Sequence, residues 1–198
     1  MANLNLDFET LLDDYERNQT NLELFTEAYA MRCHKNDRID PSLFDEYGVK
    51  RGLRDKNGVG VLAGLTNISL IRAFDEKDGI KTPCDGHLLY RGIEIEELVD
   101  GFSGRYGFEE VAWLLLFGDL PTASELEQFH GISNESRRLP VNFTRDVIMK
   151  APTGDLMNSM TKSVLTLASY DPDVSDLSLP NVLRQYLKLI SVFPQLAV

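Results

Sequence analysis

Cysteine, histidine and long apolar runs are all scarce in this chain. Its 198 residues hold two cysteines, Cys33 and Cys84, far apart and in no CxxC arrangement. That spacing excludes a disulfide framework and a thiolate metal cluster, and a reducing compartment is the simpler assumption. The three histidines, His34, His87 and His130, form no HxxH or HExxH pattern, and no histidine–carboxylate spacing joins any of them. No metal site is expected on those terms. No apolar stretch approaches the roughly 20 residues of a membrane span. Positive charge is short as well: 20 Lys and Arg against 31 Asp and Glu give a net charge of -11. Such a chain repels phosphate backbones, which excludes general nucleic-acid binding. The densest basic run, "VKRGLRDKNG", is interrupted by Asp55 and by turn residues and reads as a solvated loop. The start, "MANLNLDFETLLDDYERNQ", is acidic and amphipathic, unlike a signal or transit peptide. These absences together predict a soluble cytoplasmic protein with no membrane association.

What is present is a core and the helices to build it. Hydrophobic residues make up 43% of the chain. Leu4, Phe8, Leu11, Leu12, Tyr15, Leu22, Phe25 and Tyr29 mostly recur at three- and four-residue spacing, which predicts one or two amphipathic helices with a break near Asn18 to Asn21. "IDPSLFDEYG" supplies Asp40 as a cap, Pro41 in the first turn and Gly48 as a stop for a short helix. The segments "VGVLAGLTNISLI" and "GHLLYRGI" are the two credible strands. They predict a small antiparallel hairpin across the polar loop "DEKDGIKTPCDG".

Beyond Ile93 the period turns helical. "FEEVAWLLLFGDLP" is apolar nearly all round from Val111 to Phe117 and should be buried on most sides, with Gly118 as a left-handed cap and Pro121 blocking continuation. "TASE" is a capping box of Thr122 and Glu125. "LPVNFTRDVIMKAP" predicts a short helix bounded by prolines. Met157, Met160, Val164, Leu167 and Ala168 form one stripe, begun by Gly154 or Asp155. Leu179, Val182, Leu183, Tyr186, Leu187, Ile190 and Phe193 form another. Pro194 should kink that last helix, and the apolar "QLAV" after it reads as a cut end. The class is mainly α with one small β element. Its regions are an N-terminal helical part over 1–50, a glycine-rich loop and hairpin over 51–92, and a helical part over 93–198 truncated within its last helix.

Candidate chemistry is thin on this reading. His34 ends a helix, where a basic group suits the dipole. His130 precedes Gly131, read as a helix stop. His87 opens a strand and is assigned a strand-edge hydrogen bond. Arg91, between Tyr90 and Gly92, carries a permanent charge into packed backbone. Its guanidinium can clamp a carboxylate or phosphate, satisfy helix-end carbonyls, or pair with Glu94 to Glu97; the structural roles are favoured. The Asp13-Asp14, Glu96-Glu97 and Glu109-Glu110 pairs read as solvated faces. "FSG" lacks the surroundings of a serine nucleophile, and "GVGVLAG" lacks the lysine and acidic partners of a nucleotide loop. No complete catalytic constellation is present, so no catalytic, cofactor or metal residue is assigned.

Four phrases, "GVGVLAGLTNISLI", "GHLLYRGIEIEELV", "FEEVAWLLLFGDLPTASELEQF" and "MNSMTKSVLTLASYDP", in this order and spacing, resemble the N-terminal part of a citrate synthase large domain. "NDRIDPSLFDEYGVKRGLRDKNG" is similar to the longer N-terminal region of clostridial-type members. The resemblance runs from about Asn36 to the end of the chain. It implies a mostly helical acyltransferase, a homodimer that condenses acetyl-CoA with oxaloacetate in the tricarboxylic acid cycle and needs no further cofactor. In the family an aspartate removes a methyl proton, histidines stabilise the enolate and polarise the ketone, and arginines hold the oxaloacetate carboxylates.

The same resemblance places those residues in segments that would follow Val198 and makes His87 and Arg91 part of the frame. It places the dimer interface on helices 157–169 and 179–198. The segment alone is expected to be inactive. The rivals are a 2-methylcitrate synthase using propionyl-CoA and a non-catalytic truncated paralogue acting as a dimerisation or interaction module.

Overall fold

The computed structural model describes residues 8–50, 52–54 and 60–197, with side chains from residue 17 onward. Leu4, the "KNG" turn and Val198 lie outside the described residues, as do the side chains of Phe8 to Tyr15. The fold is mainly α with one small antiparallel sheet, as the patterning implied. In chain order the helices are α1 (Phe8–Asn36), α2 (Ser42–Glu46), α3 (Ile95–Gly101), α4 (Phe108–Phe117), α5 (Ala123–Ser136), α6 (Leu156–Ala168) and α7 (Leu179–Leu196), with a wide π-helical turn over Thr144–Met149 between α5 and α6. Strands β1 (Ser69–Lys77), β2 (Ile80–Tyr90) and β3 (Ile93–Glu94) form the sheet in the order β1-β2-β3.

Several expectations need correction. Helix α1 is one unbroken helix, and Asn18 to Asn21 lie inside it. An Asn costs a helix interior well under 1 kcal/mol, less than the packing of the apolar stripe returns. The hairpin sits later than its apolar residues suggested: residues 61–68 are not strand, while most of the supposed polar loop is. The strands turn at Asp78 and Gly79, whose φ angles of 54° and 76° give the twist of a type I′ turn. Every residue of β1 is exposed, so its polar sequence is compatible with a strand. Helix α5 runs through Gly131 to Ser136, so His130 lies within the helix and not at its end. Ile132, Ser133 and Ser136 are buried on that last turn, which offsets the roughly 1 kcal/mol a mid-helix glycine costs. The segment read as a short helix between prolines adopts the wider π geometry.

Other local readings hold. Asp40 Oδ1 accepts from the Ser42 backbone N–H at 2.9 Å, opening α2, and Gly48 closes it at φ 60°. Thr122 and Glu125 form the reciprocal box: Glu125 Oε2 accepts from the Thr122 backbone N–H at 2.8 Å, and Thr122 Oγ1 from that of Glu125 at 3.3 Å. Asp155, not Gly154, caps α6, accepting from Asn158 N–H at 3.0 Å. Helix α7 continues through Pro194 to Leu196.

The described residues fall into two compact units, one of residues up to Met31 with those from Glu127 onward, the other Arg32–Leu126. In the first, Phe25 stacks on Tyr29 at 4.4 Å and meets Phe129 at 6.4 Å. Buried Phe143, Val192 and Leu196 gather Val147, Ile148, Val164 and Leu167 around them. Arg184 of α7 holds both carboxylate oxygens of Asp171 at 2.8 Å, and Asn181 Nδ2 donates to the Asp173 and Asp176 carbonyls at 2.8 Å, fixing the α6–α7 connection. In the second unit α4 is the centre: Trp113, Leu114 and Phe117 are buried, and no residue from Val111 to Phe117 is fully exposed. Among the described residues no helix is long and apolar enough to cross a membrane.

Gly118 ends α4 at φ 92°, where a Cβ would stand 2.9 Å from Asn36 Nδ2. Both the backbone and the close approach oppose a side chain there. Gly118→Ala is expected to cost about 1–2 kcal/mol, read as a lowered thermal midpoint; an unchanged midpoint would show that neither constraint holds.

Candidate functional site

A helix leaves its last four carbonyls without intrahelical donors, and those at the partly buried end of α4 must find donors elsewhere. All four do. The Gly118 backbone N–H donates to Leu114 O at 2.9 Å. Arg91 Nη2 donates to Leu115 O at 2.8 Å, Cys33 Sγ donates to Leu116 O at 3.3 Å, and Asn36 Nδ2 donates to Phe117 O. Three donors thus come from side chains distant in sequence, two of them on the last turns of α1.

Arg91 is the hub of this arrangement. It is the first residue of the two-residue turn that joins β2 to β3, at φ 50° with Gly92 at 86°. An arginine in the left-handed region is strained, and its backbone N–H is held by Ile68 O at 2.8 Å. The side chain is only 5% exposed. Nη1 donates to Asn36 O at 3.2 Å and to Asn67 Oδ1 at 3.3 Å, while Nη2 also donates to Asp37 Oδ1 at 2.6 Å. Asn67 Nδ2 donates to the same Asn36 carbonyl at 2.8 Å. One fixed cation therefore faces the negative ends of two helices, α1 and α4, where the macrodipole favours positive charge. Helix-end carbonyls were among the expected partners; the carboxylate is Asp37, not the Glu94 to Glu97 run.

His87 takes the strand-edge bond assigned to it, and its partner is a carboxylate that no sequence spacing had joined to it. The return of β3 beside β2 brings Glu94 Oε1 to 3.2 Å from His87 Nδ1. Both side chains are about one-third exposed, at 36% and 31%. Glu96 and Glu97 are solvated as expected. Glu110, by contrast, is 15% exposed and pairs with Arg105 at 3.0 Å. The side chains of Asp13 and Asp14 lie outside the described residues. Of the basic run, the described residues form a loop pinned by Lys50 N–H to Leu62 O at 2.8 Å and by an antiparallel bridge between Arg54 and Gly60.

Arg32, which sequence reasoning passed over, is a second node. Its Nη1 donates to Glu125 Oε1 at 2.7 Å, its Nη2 to Asp119 Oδ1 at 2.5 Å, and its guanidinium lies 5.4 Å from the Trp113 ring centre. Glu125 thereby serves both the capping box and an ion pair. The Thr122 backbone N–H first, and Arg32 second, hold its carboxyl below the usual range. The signal for these nodes was slight: basic and amide residues crowd "MRCHKND" at the end of α1, where a helix end needs donors and acceptors.

Cys33 and His34 point apart, as neighbours on a helix must: Cys33 is buried and His34 exposed. Burial, reinforced by the charge of Asp37, pushes the Cys33 thiol up to about 11. At pH 8 its thiolate is then about one part in a thousand. Under native conditions iodoacetamide is expected to modify half-buried Cys84 and leave Cys33 untouched, read by peptide mass spectrometry. Equal labelling would contradict the burial of the Cys33 node.

Among the described residues no cluster of three His, Cys, Asp or Glu side chains could hold a metal ion. The two arginine nodes and His87 direct their polar atoms at the chain's own acceptors. That is the chemistry of a frame, which fixes where helices end relative to the sheet.

A family model described as the citrate synthase C-terminal domain matches residues 57–198. The chain is 30% identical to 2-methylcitrate synthase 1 of Corynebacterium glutamicum over 125 residues, 63% of this chain and 28% of that protein. It is 40% identical to the citrate synthase of Synechocystis sp. over 87 residues, 43% of this chain and 21% of the relative. It is 32% identical to the citrate synthase of Saccharolobus solfataricus over 124 residues, 62% and 28% respectively. The chain therefore spans less than a third of the length of these curated relatives.

Proposed function

Because the chain belongs to the citrate synthase family, we propose that it is the N-terminal part of an enzyme that condenses acetyl-CoA with oxaloacetate to give citrate and CoA. The observation that carries this reading is the family match over residues 57–198, which spans the sheet, Arg91 itself and helices α3 to α7. In such an enzyme a carboxylate removes a methyl proton from the thioester, the enolate carbon attacks the ketone of oxaloacetate, and hydrolysis of the citryl thioester frees CoA. Positioned proton donors and acceptors, with donors aimed at the developing oxyanions, supply the acceleration. The reaction needs no cofactor beyond the CoA thioester, and the protein works in the cytoplasm.

These 198 residues supply frame and not chemistry. Arg91, Arg32 and His87 are engaged by the chain's own carboxylates and carbonyls, so none is offered to a substrate carboxylate. The segment by itself is inactive on this reading. It pairs with a second copy through α6 and α7, whose stripes stay partly open: Met157 is 71%, Tyr186 53% and Phe193 41% exposed, beside buried Leu183 and Leu187.

The second reading is a 2-methylcitrate synthase using propionyl-CoA, favoured by the similarity to the Corynebacterium protein of that name. Acyl-CoA competition decides between them. The gene product purified from its own cells is expected to release CoA in the presence of oxaloacetate with a higher kcat/KM for acetyl-CoA than for propionyl-CoA. The reverse preference would establish the second reading, and release with neither would overturn both.

A further inference from the structure

The β1–β2 ladder is two ladders joined at a fault. From Ser69↔Tyr90 to Arg72↔His87 the pairing is regular, and from Phe74↔Pro83 to Lys77↔Ile80 it is regular again. Between them Cys84, Asp85 and Gly86 of β2 all stand opposite the single residue Ala73. An insertion of this kind leaves residues unpaired and bends and twists the strands around it. Strand β1 carries a second sign of the bend. Residues three apart on a regular strand point to opposite faces, about 10 Å apart along it, yet Arg72 Nε lies 3.7 Å from Asp75 Oδ1. That ion pair spans Ala73.

The two sides of the fault are held differently. On the inner side β2 also carries β3, through Leu89↔Glu94 and Tyr90↔Ile93, and His87 meets Glu94 at 3.2 Å. The Arg91 N–H to Ile68 O bond extends the same register, and His87 to Tyr90 are partly buried. On the outer side every residue from 74 to 83 is exposed. Pro83 brings no N–H to the first outer pair. The Glu76–Lys81 ion pair there is 3.9 Å long between side chains 60% and 69% exposed, and such pairs hold weakly. A two-stranded hairpin with nothing packed on either face is marginal in water. The outer part has the stability of such a hairpin, while the inner part shares that of the sheet.

We propose that the bulge at Cys84, Asp85 and Gly86 is a hinge, and that residues 74–83 form a finger that opens and closes as one unit while the inner ladder stays in place. Segments of this kind, exposed and sparsely packed, open locally at a free energy well below that of the whole fold. Neither the assigned reaction nor the pairing through α6 and α7 enters this inference.

Native-state hydrogen exchange of the 198-residue chain tests it amide by amide. The cross-strand-bonded amides of residues 74–83 should share one protection level, at least about tenfold below that of residues 69–72 and 87–90, with the step falling at the bulge. Fraying from the tip gives a different profile, a smooth rise from Asp78 and Gly79 with no step.

Excision of Asp85 and Gly86 together separates the bulge from mere exposure. Losing two residues keeps every side chain of β2 on its own face and lets the pairing run unbroken from Ser69↔Tyr90 to Lys77↔Ile80. The excised chain should lose the step and show the smooth rise, with the inner amides as protected as before. Equal protection on both sides of the bulge in the wild type, a smooth rise in the wild type, or a step that survives excision would each overturn the proposal. Should excision prevent folding, the wild-type profile decides alone.

Discussion

Arg91→Met is expected to lower the stability of the chain by about 3 kcal/mol, the loss of several charge-assisted hydrogen bonds from a buried site. Methionine fills much of the volume but leaves Leu115 O without its donor inside the molecule and Asn36 O with only Asn67. Asp37 is 43% exposed and can return to water, which keeps the cost below that of stranding a fully buried charge. The left-handed backbone at φ 50° stays as strained as before, so no relief offsets the loss. Arg91→Lys should recover less than half, because an ammonium cannot present a planar fork to Asp37, Leu115 O and Asn36 O together. The urea midpoint is the readout. Trp113, the single tryptophan, lies on α4 within the unit that Arg91 anchors, so its fluorescence follows the transition. A midpoint unmoved in Arg91→Met would refute the hub.

Trp113→Ala is the second large effect, expected at about 3–5 kcal/mol. Trp113 is fully buried, with Phe117 at 4.4 Å ring to ring and the Arg32 guanidinium over its face. Truncation opens a cavity at the centre of α4 and removes the surface on which Arg32 lies between Asp119 and Glu125. Trp113→Phe keeps most of the apolar volume and should cost less than half as much. Circular dichroism must follow unfolding here, since the variant removes the only indole. Equal costs for the two variants would argue against cavity formation as the cause.

How far the sequence spoke depended on range. The Thr122–Glu125 box, the Asp155 cap and the Gly118 stop were legible because each needs only residues within one turn. The apolar girth of Val111 to Phe117 marked α4 as central because a helix without a polar face must be covered. The Arg91 hub was half legible. A cation locked beside Gly92 announces a structural duty, but Asp37 and Asn36 lie more than fifty residues away, and no local pattern pairs them. The His87–Glu94 pair was hidden for the same reason on a smaller scale, since only the tight return at Arg91 and Gly92 brings it together. The hairpin was misplaced through a rule that usually serves well. Apolar alternation marks a strand with one buried face, and β1 has none, leaving Asp78-Gly79 as the true signal. Gly131 misled because the packing of Ile132 outweighs a glycine's weak preference against helix.

The proposal tested last is that the chain is the frame of a citrate-forming enzyme, with the reacting groups supplied by residues other than these 198. Release of CoA from acetyl-CoA and oxaloacetate, followed side by side for the gene product from its own cells and for the purified 198-residue chain, tests that claim most directly. The account predicts release by the cellular product and none above the uncatalysed rate by the 198-residue chain. Turnover by the 198-residue chain itself would contradict it, and would return Arg91 and His87 to consideration as reacting groups.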